Sequence, residues 1–287
     1  MNPKSGSIPC YSSQNLICEL CSVDGKHWED LDVPQEKVYA VGAKPSSGRL
    51  YAGTRPAHIY VTESIETSET TSPEWSELDK FQELPSRNKW RLPRHDNLAQ
   101  VRDIHRDPTD PNRIIAGVEV GGVHVSNDGG RIWIERTDGV DEHIHELHVA
   151  GPEEYVAATG HGLYRTNDAG RTWMRLDKDV PQSYFRSVFS IGEDTYASGA
   201  LSNSSTWDDD DASPVLFACR DGSIEPISIP NPDETVTGMT SVDGSLLVAT
   251  HQGNLFTKKP GSWDNVGKFS VPGSLTGRYT PITSYCG

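Results

Sequence analysis

The sequence predicts an all-β repeat fold, a single six-bladed β-propeller domain spanning residues 1–287. Three observations carry this expectation. Two near-identical octets stand forty residues apart, Ser126-Asn127-Asp128-Gly129-Gly130-Arg131-Ile132-Trp133 and Thr166-Asn167-Asp168-Ala169-Gly170-Arg171-Thr172-Trp173, and self-similarity at such a period marks a repeat architecture. Short β-branched and aromatic runs recur at even spacing, cut by Gly, Pro and Asp, as in an all-β fold. Decayed copies of the octet fill the rest of the chain and bring the total to six.

The octet reads Ser/Thr-x-Asp-x-Gly-x-x-Trp, and each fixed residue has a physical task. The Asp side chain bonds downstream backbone and holds a tight turn, Gly supplies a positive φ, and Trp anchors the returning strand. The motif resembles the Asp-box of bacterial sialidases and of the wider BNR-repeat β-propellers. That resemblance implies the propeller fold and Asp-box turns, with Asp128, Asp168, Trp133 and Trp173 in structural roles.

The elements follow in chain order. Blade one carries Ser22-Val23-Asp24-Gly25-Lys26-His27-Trp28, with only one or two strands before it; residues 280–285 are expected to supply its innermost strand. N- and C-terminal strands then share one blade and close the ring, which removes the open sheet edge. Blade two has strands at 50–53 and 58–61, and a box that starts at Thr62-Glu63-Ser64, is swollen by residues 65–88 and resumes at Trp90. Blades three and four carry strands at 114–117, 123–125, 155–158 and 163–165 ahead of the two full octets. Blade five has strands at 196–199 and 216–218, separated by an insert at 201–214, and keeps Cys219-Arg220-Asp221-Gly222. Blade six has strands at 247–250 and 254–256, and a box from Thr257 to Trp263. Four strands per blade give about 45–50 residues, near the usual length of such repeats.

Composition narrows the function classes. A net charge of −15 and a pI near 5.0 disfavour nucleic acid and anionic membrane alike, because both are bound by replacing counterions with basic residues. Met1-Asn2-Pro3-Lys4-Ser5 leads into no apolar stretch and no window reads as a transmembrane helix, so a cytoplasmic location is expected. Five cysteines without a paired CxxC frame fit a reducing compartment. Cys18 and Cys21 point to opposite faces of a strand, and Cys10 and Cys286 come near each other at the ring closure without a disulfide being favoured. Residues 62–75 read as a polar loop, and the run Asp208-Asp209-Asp210-Asp211 reads as a solvated loop rather than a calcium site.

The site residues come from registering the blades on the box tryptophans. The innermost strand of the next blade begins some twelve or thirteen positions after each Trp, delivering Tyr39, Arg102, His145, Arg186 and Thr237. Loop positions after the small-residue strands deliver Arg55, Glu119, His161 and His251, with His58 close by. His124 lies on a third strand and is expected to be structural. A water-filled channel needs only small polar side chains, whereas gathered arginines and histidines call for an anion or a charge partner.

These residues suit a pocket at one end of the axis for a small anionic, carboxylate-bearing ligand. Arg55, Arg102 and Arg186 would clamp the anion, with His251, Tyr39 and His58 beside them. His145 and His161 would move protons, and Glu119 would orient or share one. The expected activity is acid–base chemistry of lyase, isomerase, cyclase or hydrolase type without a cofactor. A divalent metal on Glu119, His145, His161 and His251 is the weaker alternative. The sialidase resemblance implies an arginine triad and a Tyr–Glu pair, for which Glu119 and a phenol of Tyr39 or Tyr285 are available. Sialidase activity is nevertheless not expected: the Arg-Ile-Pro signature is missing, Trp90-Arg91-Leu92-Pro93 mimics it with Trp90 read as an outer-strand anchor, and no Asp is placed as acid/base. The alternative from another class is a non-catalytic scaffold or assembly factor that holds a protein partner on its arginine-bearing face, as some BNR propellers do.

Overall fold

The computed structural model describes residues 10–13, 16–21, 29–44, 49–63, 73–107, 109–220, 222–271 and 279–282. They divide into two compact units, one ending at Glu135 and one beginning at Arg136. In the first, β1 (Cys10–Ser13), β2 (Leu16–Cys21) and β3 (Glu29–Asp30) form a three-stranded antiparallel sheet. Two four-stranded antiparallel sheets follow: β4 (Val38–Lys44), β5 (Arg49–Thr54), β6 (Ile59–Thr62) and β7 (Ser76–Glu77); then β8 (Gln100–Arg106), β9 (Ile114–Glu119), β10 (Gly122–Ser126) and β11 (Ile134–Glu135).

The second unit holds three more four-stranded antiparallel sheets. They are β12 (Ile144–Val149), β13 (Tyr155–Thr159), β14 (Gly162–Thr166) and β15 (Met174–Arg175); β16 (Tyr184–Ile191), β17 (Asp194–Ala200), β18 (Val215–Arg220) and β19 (Ser223–Ile227); and β20 (Val236–Val242), β21 (Ser245–Thr250), β22 (Asn254–Lys259) and β23 (Ser262–Lys268). Among the described residues, five sheets thus have the expected four strands and the sheet of β1–β3 has three. Among the described residues no helix is long and apolar enough to cross a membrane.

Within each unit the sheets stack face to face, and first strands lie side by side: β4 with β8, β12 with β16, and β16 with β20. Second strands are therefore covered on both faces, which explains their small residues. Ala116, Ala157, Ala158, Ala197 and Ala249 are all fully buried, and a side chain this small lets neighbouring sheets approach to their usual spacing. The larger apolar groups fill the spaces between sheets. Ile59, Val101, Ile114 and Val118 do so in the first unit, Leu163, Phe185 and Phe217 in the second, and Val236, Val248 and Phe256 beyond them.

The two octets fold alike. Ser126 and Thr166 donate through their hydroxyls to Asp128 and Asp168, at 2.9 and 2.7 Å, and accept from the backbone N–H of Gly130 and Gly170. Each Asp in turn accepts the N–H four residues on, from Ile132 and Thr172. Gly129 and Gly130 have φ of 75° and 93°, while Ala169 and Gly170 have 59° and 80°. In the last two sheets the fourth strand is longer and pairs back to the end of the third, Ser223 of β19 with Arg220 and Ser262 of β23 with Lys259. The first box, residues 22–28, lies outside the described residues.

One tryptophan differs from the sequence reading. Trp75, not Trp90, immediately precedes the fourth strand of its sheet, as Trp133 and Trp173 do. Its indole N–H donates to the Leu31 carbonyl at 2.8 Å, past the end of β3; Trp263 makes the matching bond to Ser228 past β19, also at 2.8 Å. Trp90 belongs to an insert between β7 and β8 that winds through 3₁₀ turns at Asp79–Glu83, Arg87–Lys89 and Pro93–His95. The insert is pinned by the Ser86 N–H on Glu135 and packs Phe81 and Trp90 against His124 and Trp133. A register that spans two hydrophobic anchors fifteen positions apart takes the bulkier surroundings of Trp90 for the box.

The C-terminal segment also departs from expectation. Residues 280–282 form no strand and lie along β20, where Thr280 bonds Thr237 and the Thr250 carbonyl. A Cβ on Gly238 would collide with the Thr280 carbonyl, so glycine is what permits this approach. Tyr285 and Cys286 lie outside the described residues, and with them the Cys10–Cys286 proximity.

Candidate functional site

Each of the five four-stranded sheets carries one β-bulge between its first and second strands, always in the same register. The pairing skips between Val38 and Ala40, Val101 and Asp103, Ile144 and Glu146, Phe185 and Ser187, and Val236 and Gly238. The extra residues are Tyr39, Arg102, His145, Arg186 and Thr237. A bulge residue falls outside the one-to-one register of the ladder and is re-aimed away from its strand's alternation. All five are buried, at 9, 8, 4, 3 and 3% exposure, although four of them are polar or charged.

In the first unit the bulge residues meet an ion-pair cluster. Glu119, at the end of β9, is buried; it accepts from Arg94 and Gln100 and stands 3.7 Å from Arg102 Nε. Tyr39 lies between Arg55 and Arg102, whose guanidiniums sit 5.2 and 5.9 Å from its ring centroid. Burial raises the Tyr39 phenol above its usual value, against the pull of both arginines. Burial likewise lowers His95, reinforced by Arg55. The carboxylate of Glu119 is thus committed to cationic and amide donors, which fits an orienting role for the arginines better than proton transfer.

The second unit gathers the other bulge residues around an aromatic cluster. Arg186 donates to the His145 carbonyl at 3.1 Å and lies 4.0 Å from the Tyr279 ring centroid. His145 Nδ1 meets the Phe185 carbonyl at 2.7 Å, and its ring packs tilted against Tyr184 with centroids 4.6 Å apart. A carbonyl only accepts, so Nδ1 carries the proton and Nε2 is the basic nitrogen of the neutral ring. The 201–214 insert folds back over this cluster. Its short turn, Ser204–Thr206, leads into the buried Trp207, which contacts Tyr184, Tyr279 and His251.

The acidic run is therefore not only a solvated loop: Asp208 stands 3.4 Å from His251 Nε2 and accepts from Gln252 at 2.8 Å. The Thr235 N–H donates to His251 Nδ1, which fixes the proton of His251 on Nε2, the tautomer opposite to His145. Burial lowers the His251 pKa, opposed by Asp208. Asp209, Asp210 and Asp211 are exposed as expected.

The remaining expected residues lie elsewhere. His58 pairs with Glu77 on β7 at 2.5 Å and stacks on Tyr60, turned towards the outer strands of its sheet. His161 is one position beyond the register of Arg55, Glu119 and His251 because Gly160 takes the place equivalent to theirs, and its side chain is 69% exposed. It approaches Asp141 and His143 rather than His145 or His251. Of the expected metal set, His161 thus stands with Asp141 and His143, and the cluster of metal-ligating groups among the described residues is Asp141, His143 and His161. Sequence spacing does not single out Asp141 and His143, since neither lies in the bulge or post-strand register. His124 is fully buried, donates through Nε2 to the Gly121 carbonyl at 2.9 Å, and is depressed by burial to a pKa of about 4.

No protein-family model matches the chain, and no curated protein matches it. Solved structures do. A GH74 xyloglucanase from Xanthomonas campestris is 16% identical at a TM-score of 0.62, over 90% of this chain and 43% of that one. The WD40 β-propeller domain of Doa1 is 11% identical at 0.62, over 93% and 80%. YCF48 bound to D1 peptide is 14% identical at 0.61, over 88% and 76%. This chain spans less than half the length of the xyloglucanase. At such identities the likeness is one of fold, shared by an enzyme and by WD40 domains alike, and that fold is the β-propeller.

Proposed function

We propose that the chain is an Asp-box propeller of six blades that binds a small carboxylate-bearing molecule and acts on it by acid–base chemistry. The observation that carries the reading is the pairing of Arg186 with His145 on neighbouring bulges, inside an aromatic wall of Tyr184, Trp207 and Tyr279. Arg186 offers a fork of donors suited to a carboxylate, held flat by the Tyr279 face. His145, with its proton fixed on Nδ1, offers Nε2 as a base for a proton next to that carboxylate. Arg102 and Arg55 repeat the arginine–aromatic arrangement around Tyr39, and Glu119 holds Arg102 in place.

The test is a thermal-shift screen of small carboxylic acids and uronates on wild type, Arg186→Lys and His145→Gln. A ligand that binds only the native state raises the melting temperature in proportion to its affinity. The expected result is a carboxylate that stabilises wild type and His145→Gln but not Arg186→Lys, and whose turnover falls about a hundredfold or more in His145→Gln. Silence across the acids sinks the reading. The second reading, a platform for a protein segment, is favoured by the similarity to YCF48, whose solved structure holds a peptide; it would show as binding of peptides and of no free acid.

A further inference from the structure

Asp141, His143 and His161 lie outside the site proposed above and share one end of the β12–β15 sheet. Asp141 and His143 immediately precede β12, and His161 occupies the turn between β13 and β14. His143 Nδ1 stands 3.4 Å from Asp141 Oδ1, and His161 Nδ1 stands 3.3 Å from Asp141 Oδ2. The ligating atoms of all three fall within 4.8 Å of one another. Both separations are longer than an ordinary N–H···O hydrogen bond. Each is the length of a tetrahedral edge around zinc, about 3.3–3.6 Å for bonds of about 2.0–2.2 Å. They run to the two different oxygens of Asp141, so an ion would take one oxygen and draw the imidazoles together.

The backbone holds this arrangement before any ion arrives. The His143 N–H donates to Asp141 Oδ1 at 3.0 Å, and the Gly160 N–H donates to the His143 carbonyl at 2.9 Å, tying the two loops together. The His161 N–H is held by Thr159 Oγ1 at 3.1 Å. Gly160 makes the approach possible, since a Cβ there would lie 3.0 Å from the His143 Cβ.

We infer that Asp141, His143 and His161 form a binding site for a divalent transition-metal ion of the zinc type, with a fourth position open to solvent on the exposed side of His161. Two imidazoles and one carboxylate are borderline ligands suited to zinc, and three protein ligands with one open position are the pattern of sites that exchange water or a ligand. This inference is independent of the carboxylate site, because none of the three residues belongs to it.

The experiment is a competition titration of chelator-stripped full-length protein with zinc against a chromophoric chelator, repeated with cobalt(II) to record its visible absorption. The expected result is one equivalent bound per chain, with four-coordinate cobalt bands. His161→Ala, whose side chain is exposed and outside the core, should weaken binding at least about tenfold and abolish the bands, with an unchanged melting curve in the absence of metal. Gly160→Ala, which removes no ligand, should also weaken binding by displacing His143. Absence of competition in wild type overturns the inference, and so does zinc binding of equal strength in wild type and His161→Ala.

Discussion

At the scale of single residues, burial decides what each charged group can do. His124 sits among Phe81, Trp90 and Trp133 as a neutral ring whose pKa in the folded protein is about 4, below the roughly 6.5 of an unfolded chain. Between those values the unfolded chain takes up a proton that the native protein refuses. Stability should therefore decline as pH falls from about 6.5 towards 4, by up to about 3 kcal/mol. Urea melts at several pH values on wild type and His124→Gln should show that slope flattened in the variant. Glu119 presents the reverse situation, a buried anion surrounded by donors. Glu119→Ala would remove the buried anion that faces Arg94, Gln100 and Arg102 and should cost about 3–5 kcal/mol, read from the denaturant midpoint. A near-neutral result would mean that water replaces the carboxylate.

Secondary-structure elements here are governed by turns and bulges more than by strand propensity. The octet turns should respond to acid: hydrogen bonds, first from the Thr172 N–H, hold Asp168 down to a pKa of about 2. Their contribution is complete above about 4, the unfolded value, and is lost as pH falls through about 2. Asp168→Ala should cost about 1–2 kcal/mol at neutral pH, with His145 and Arg186 geometry untouched. The two glycines of the first octet should separate by sterics. Gly129→Ala meets no neighbour and pays only for its positive φ, about 1 kcal/mol. Gly130→Ala also drives a Cβ to within 2.7 Å of Leu78, so its melting temperature should fall further.

The bulge residues are legible in the sequence because a polar or aromatic residue follows a buried apolar one at the same place in each repeat, as in Val101-Arg102 and Phe185-Arg186. Trp75 is not, because the turn between Thr62 and Trp75 has no Asp-x-Gly to mark it. The cluster of Asp141, His143 and His161 is illegible for another reason: it is built by two turns that meet through the Gly160–His143 backbone bond, a contact without a sequence period.

On the scale of the whole molecule, net charge and the C-terminal segment are the quantities to test. With a net charge of −15, self-repulsion opposes compaction, so raising sodium chloride from about 0.05 to 0.5 M should raise the urea midpoint. A chain ending before Tyr279 would remove the segment that lies on β20 and the aromatic partner of Arg186. Its melting temperature should drop by several degrees, and an unchanged value would mean that the segment adds no net stability to the sheet it lies on. The five bulges carry an implication for evolution and engineering. Because each re-aimed residue stands outside the ladder pairing, its identity is decoupled from strand complementarity. Tyr, Arg, His, Arg and Thr already occupy equivalent places, so exchanging one for another changes the chemistry presented while leaving the register that builds the blade intact. Such a scaffold can acquire a new specificity one blade at a time.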